Sequence, residues 1–185
     1  MTVRRERAPR IIPGVITRWP NTYERQGREV RIEWRSFLRG YREPAPFKGH
    51  REHPGWSPAV FAPCSRHAPN VVAVTALIAT VEGTIGDSRR ALGRWFGVAF
   101  TSLPQAGGPP LIHVVLPFSR PVLRDELQRT CAWAERRGRG KGVAVSAERD
   151  GARMLYMPAS VPGTEHRAVR FSGPLLDVDE VNRSI

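Results

Sequence analysis

The sequence predicts an α+β fold, and three observations carry that prediction. The nearly unbroken β-branched and apolar run Val71–Val81 has the composition of a strand buried on both faces. Two later segments, around Leu92 and around Leu127, repeat apolar residues at helical spacing, and a second apolar run, Leu111–Pro117, lies between them. With 185 residues, 41% of them hydrophobic, the chain has enough apolar surface for one packed domain, which excludes wholesale disorder.

Taken in order, the first third is expected to be irregular, because Pro9, Pro13, Pro20, Pro44, Pro46, Pro54, Pro58 and Pro63 break any long helix. Within it, Glu29–Glu33 alternates like a short strand. Trp34, Phe37, Leu38 and Tyr41 then recur at i, i+3, i+4, i+7, predicting a short helix with an aromatic face on the core and Arg35, Arg39 and Arg42 outside. From Asn70 the pattern becomes regular. After the Val71–Val81 strand, Asp87 or Ser88 is expected to cap a helix through about Phe96, with Leu92, Trp95 and Phe96 inward and Arg89, Arg90 and Arg94 outward. A strand at Val98–Thr101, a turn at Gln105–Pro110 and the Leu111–Pro117 strand follow. Pro121 suits the first position of a helix with Asp125 and Glu126 early, Arg136 and Arg137 late, and Leu123, Leu127, Cys131 and Ala134 as its apolar stripe. Arg137–Gly142 reads as a basic glycine-rich loop, and Val143–Ser146 and Arg153–Met157 as strands. This β-α-β-β-α-β order is that of a ferredoxin-like or RNA-recognition-like core. The expected division is 1–69, a basic proline-rich extension with a short helix packed on the core, and 70–185, the core itself.

Charge is the next constraint. The chain holds 29 Lys and Arg against 17 Asp and Glu, a net charge of +12, and only Lys48 and Lys141 are lysines. Through Asn70 the count is 14 against 6, so two thirds of the excess lies in the first third of the chain. Guanidinium groups are permanently charged and fork onto phosphate oxygens, so DNA or RNA is the expected partner. The candidate contacts are an arm of Arg4, Arg5, Arg7 and Arg10; Arg35 and Arg39; Arg89, Arg90 and Arg94; Arg136, Arg137, Arg139 and Lys141; and Arg153. Trp19, Trp34 and Trp56 are candidates for base stacking, Trp34 being better suited to the core. No apolar run approaches the ~18 residues of a membrane span, and the opening residues lack a secretory signal's apolar stretch, so a cytoplasmic protein without membrane contact is expected. Two cysteines make no disulfide framework.

Several stretches resemble the plasmid- and phage-borne primase-polymerases of the archaeo-eukaryotic primase superfamily. They are Lys48 through Gly55-Trp-Ser-Pro58, Asn70–Ile78, Leu111–Val122, Arg153–Ala159 and Gly173–Asp179, spanning about two thirds of the chain. The resemblance implies an RNA-recognition-like catalytic core that uses carboxylates to hold two divalent cations for nucleotidyl transfer. It also implies where those carboxylates should stand, and there this sequence has Ala79, Val81 and Val145. Glu82 is the acidic neighbour of the first pair, and Glu148 and Asp150 follow the third position. His113 matches a histidine that would contact nucleotide phosphates, and Arg153 stands where an incoming nucleotide would be held; both also suit purely structural roles. The expectation is therefore a degenerate metal site, no cofactor and no catalysis, with nucleic-acid binding retained in replication or maintenance of a mobile element, or in a nucleoprotein complex. Two alternatives stand beside it: an active, Mg- or Mn-dependent DNA primase or polymerase with a rearranged site, and an interaction module whose arginines meet an acidic partner protein.

His50, His53, Cys64 and His67 fall within the range of zinc-ligand spacings, against which stands the reading of surface histidines and a buried cysteine. Cys131 reads as core, and Asp177, Asp179 and Glu180 as a solvated acidic tail.

Overall fold

A computed structural model describes residues 13–21, 23–49, 51–102 and 111–184. The chain opens with an antiparallel hairpin, β1 (Pro13–Trp19) and β2 (Arg28–Glu33), and turns directly into α1 (Trp34–Arg39). Glu33 makes that sharp change possible: its carboxylate accepts from the backbone N–H of Arg35 (3.0 Å) and Ser36 (2.7 Å). Short strands β3 (Ala45–Pro46), β4 (Gly55–Ser57) and β5 (Ala59–Phe61) lead to the long β6 (Val71–Val81). Then come α2 (Ile85–Leu92), β7 (Phe96–Thr101), β8 (Ile112–Val122), α3 (Arg124–Arg139) and β9 (Val145–Ala147). The chain closes with β10 (Leu155–Tyr156), β11 (Ala159–Ser160), β12 (Ala168–Ser172) and α4 (Val178–Arg183).

The main sheet runs β12-β7-β8-β6-β5, with β9 also paired to β6, and every pairing in it is antiparallel. A smaller sheet, β10-β4-β1-β2, contains residues from both ends of the chain, and β5 pairs with β6, so the segments on either side of position 70 share both sheets. Alternation along the central strands sends side chains to two cores. Leu77, Ala79, Val81, Val114 and Leu116 pack with Leu92, Trp95, Leu127, Cys131 and Ala134 from the helical layer. On the opposite face Ile78, Val98, Phe100 and Val115 pack with Ile16, Trp34, Leu38, Tyr41 and Trp56 from the small sheet and α1. The result is three layers: helices, main sheet, and small sheet with α1.

Several expectations need correction. Residues 13–61 are not irregular: Pro13 opens β1, Pro20 follows its end, and Pro58 separates β4 from β5, places where a missing N–H costs little. Helix α2 is capped by Thr84, not Asp87 or Ser88. Thr84 Oγ1 accepts from the Asp87 N–H (3.1 Å), and the Asp87 carboxylate accepts from the Thr84 N–H (2.9 Å). It ends at Gly93, so Phe96 belongs to β7. Pro121 lies inside β8, and Leu123, expected inward, is exposed at the mouth of α3, where its N–H is bonded by the Glu126 carboxylate (3.0 Å). The basic loop at 137–142 is helical through Arg139, because Gly138 lets α3 lie against Val143 and Val145. The acidic tail is ordered: Asp177 caps α4 and Asp179 pairs with Arg120 at 2.7 Å. The turn expected at Gln105–Pro110 lies outside the described residues.

Candidate nucleic-acid interface

The register of β6 and β8 decides what surrounds His113. It stands directly opposite Thr80, and opposite Phe100 of β7, so these three side chains share the face turned away from the helices. Thr80 Oγ1 lies 3.3 Å from His113 Nδ1. Ser146 of β9 is paired with Thr80, and the Glu148 N–H continues that register onto the Ile78 carbonyl (2.9 Å), bringing Ser146 and Glu148 to the same face. Arg153 bonds Glu148 at 2.5 Å. His113 is 8% exposed. Burial first, and the Arg153 charge second, push its pKa down to about 4, so the ring is neutral at physiological pH.

The same parity places elsewhere the three positions at which the resemblance implies carboxylates. Ala79 and Val81 alternate with Thr80 and therefore point into the helical core, where both are fully buried, and Val145, opposite Val81, packs there too. Glu82, just past the end of β6, lines a groove of about 440 Å³ with Glu135, Arg139 and Ser146. Glu148 is thus the carboxylate that the register brings to the His113 face, while Asp150 bonds within its own turn, accepting from the Ala152 N–H (3.0 Å). Among the described residues no three His, Cys, Asp or Glu side chains come together as a metal-holding group. The donor set on the His113 face does not fit a pair of divalent cations, which demands several converging oxygens.

Of the four residues with zinc-ligand spacing, the three that are described form no metal-holding group among the described residues. His50 lies outside the described residues. His53 is buried between Phe47 and Tyr156, with Nε2 3.1 Å from the Met157 carbonyl oxygen. Cys64 is half-buried in a loop whose carbonyl accepts from the Gly27 N–H, and His67 is exposed. Cys131 is core: burial pushes its thiol up to about 12.

On the helical layer, two arginine clusters that are some 45 residues apart in sequence become one surface. Arg137 Nε donates to the Ala91 carbonyl (2.9 Å), joining the last turns of α2 and α3. Arg137 and Arg94 both lie over the Trp95 ring, at 4.6 and 5.8 Å from its centroid, and Trp95 meets Trp133 edge to face at 4.9 Å. Burial, then the charge of Arg94, weighs against the Arg137 charge. Close to this pair along the chain are Arg89, Arg136 and Lys141, and Arg139, which lines the groove with Glu82 and Glu135; all four are exposed and form no ion pair among the described residues. Arg90 is paired with Asp87 at 2.6 Å, and Arg94 approaches Glu180 only to 4.0 Å. The sequence signal for this surface is the repeated arginine beyond the apolar stripe; its anchor, Trp95, carries in sequence only the pattern of a core residue.

The remaining candidates are dispersed. Arg35 lies over Phe96 (5.7 Å), Arg39 is exposed on α1, and Arg4, Arg5, Arg7 and Arg10 lie outside the described residues. Trp19, Trp34 and Trp56 offer no ring for stacking, since each is at most 1% exposed; Trp56 Nε1 donates to the Tyr41 hydroxyl (2.8 Å). No described helix is long and apolar enough to cross a membrane.

No protein-family model matches the chain, and no curated protein matches it in sequence. Among solved structures, the chain is similar to the primase-polymerase domain of the archaeo-eukaryotic primase type from cyanophage S-2L. The two share 14% sequence identity at a TM-score of 0.45, over 92% of this chain and 88% of that one.

Proposed function

We propose that this chain is a nucleic-acid-binding protein with a primase-polymerase-like fold, which grips DNA or RNA by phosphates and does not carry out metal-dependent nucleotidyl transfer. The observation that carries the reading is the helical surface, where Arg94 and Arg137 converge on Trp95 and four further exposed cations of α2, α3 and the turn after α3 form no ion pair among the described residues. Like charges gathered without counter-ions destabilise a fold, and phosphates relieve them while releasing counterions of their own. The strand order β9-β6-β8-β7, with α2 and α3 on one face, supports the RNA-recognition-like reading of the core. The apolar character of Ala79, Val81 and Val145, the first two fully buried and the third half-buried, supports a binding role over a catalytic one. The resemblance of the five sequence stretches supports a setting in replication or maintenance of a mobile element, or within a nucleoprotein complex.

The test is fluorescence anisotropy with labelled single- and double-stranded oligonucleotides at ~50 mM salt, where phosphate-driven affinity is strong. Binding that weakens steeply with salt is expected. Neutralising Arg89, Arg94, Arg136 and Arg139 together should lower the duplex salt slope by about 3 to 4. Absence of binding to either form refutes the reading. Primer extension by the purified chain with Mn²⁺ and nucleotides refutes its non-catalytic half.

A further inference from the structure

The hairpin β1–β2 carries a second cationic surface, remote in the fold from the helical one. Arg18 and Arg28 stand directly opposite each other in the antiparallel register. Cross-strand partners sit side by side, and like charges there cost stability. Both arginines are exposed, and neither has an ion pair among the described residues. With Arg31 they line a groove of about 600 Å³ whose walls include Pro20 and Pro54, with Glu29 as its single carboxylate. The groove lies along the small sheet's outer strand, β2.

The loop of the same hairpin carries an aromatic ring that the fold has left out of both cores. Tyr23, in the loop between β1 and β2, is 64% exposed, and the Arg51 guanidinium lies 5.7 Å from its ring centroid. Tyr23 is three residues from Pro20 and Arg51 three residues from Pro54, so short tethers of chain join the ring and its cation to two residues of the groove wall. A stacking face next to unpaired cations is the combination that binds single strands. Only an unpaired base offers its face to a side chain, and its phosphates need charge within a few ångströms.

We propose that this hairpin is a single-strand docking site, in which Arg18, Arg28 and Arg31 hold phosphates and Tyr23, backed by Arg51, stacks a base. The inference rests on the nucleic-acid reading above and adds to it a place and a strand preference. It also accounts for an arrangement that would otherwise only cost stability, the facing pair Arg18 and Arg28.

The experiment uses the full chain with a labelled oligothymidylate of about 16 nucleotides and a labelled hairpin duplex. Tyr23→Ala, a change at an exposed side chain, should weaken the single strand about fivefold or more and leave the duplex unchanged. The double variant R18Q/R28Q should weaken the single strand at least about tenfold and lower its salt slope by about 1.4. Arg28→Glu, facing Arg18, should raise the melting temperature of the free protein while abolishing single-strand binding. Single-strand affinity at the wild-type level in Y23A and R18Q/R28Q overturns the hairpin site, even where the helical-surface variants confirm binding elsewhere. Equal losses on single strand and duplex overturn the strand preference. If Arg28→Glu keeps full affinity but aggregates, the arginines protect the sheet edge and the site is refuted. Failure of the wild-type chain to bind either oligonucleotide refutes the parent reading as well.

Discussion

Replacing His113 by asparagine should remove a pH dependence of stability that the wild-type protein carries. In the folded chain, burial and then Arg153 lower the His113 pKa from 6.5 to about 4. Between those values the unfolded chain binds a proton that the folded chain refuses, so stability falls as the pH falls. The full contribution is present above about 6.5 and is lost by the time the pH has passed down through about 4. The whole interval corresponds to about 3 kcal/mol, and the part crossed between about pH 7.5 and pH 5 to about 2 kcal/mol. His113→Asn retains a polar group for Thr80 but does not titrate. Urea unfolding of both proteins at the two pH values gives the difference directly. The carboxylates do not confuse the comparison. Glu126 is held at about 2 by the Arg120 hydrogen bond, and Asp87, Glu135 and Asp179 are likewise lowered. They lose their contributions at more acidic pH and do so in both proteins. Parallel losses of stability in wild type and variant would refute the argument that the ring is buried and neutral.

Further outcomes follow from local geometry. In Gly138→Ala the added methyl would lie 2.8 Å from the Val143 carbonyl oxygen and against Val145, so thermal or urea unfolding should show a loss of about 1–3 kcal/mol despite alanine's helix preference. Thr84→Ala removes half of the capping box on α2 and should cost about 1 kcal/mol by the same measurement. Arg137→Ala leaves the Ala91 carbonyl without its donor and bares the Trp95 ring; a loss of about 1–2 kcal/mol and a rise in tryptophan quenching by acrylamide are expected. A thiol reagent at mildly alkaline pH should titrate Cys64 in the native protein and Cys131 only after unfolding, since burial pushes the Cys131 thiol up to about 12.

Much of the core was legible because its signals are local. The Val71–Val81 run is long and β-branched enough to read only as a strand, and Leu127, Cys131 and Ala134 recur on a single helix face. Where local signals conflict, the fold obeys the less conspicuous one. Leu92, Trp95 and Phe96 have helical spacing, yet Gly93 ends the helix between them. Pro121 looks like a helix start, but it lies in β8, where proline is tolerated near a strand's end. The site was less legible for a geometric reason. Which face His113 shares depends on register across strands 33 residues apart, and a slip of one residue exchanges the faces. Counting along Leu77–Val81 cannot reveal that residues 79 and 81 turn away from the histidine. The pairing of Arg18 with Arg28 was hidden in the same way, inside a segment whose prolines suggested loop.

The main sheet lies between His113 on one face and the arginine surface of α2 and α3 on the other. Sheet and helix layers are each ~10 Å thick, so a molecule held on one side cannot touch one held on the other. Two ligands held one on each face would therefore not compete for space. Any influence of one on the other must pass through the interdigitated strands as a change in packing, and in its absence their binding free energies simply add.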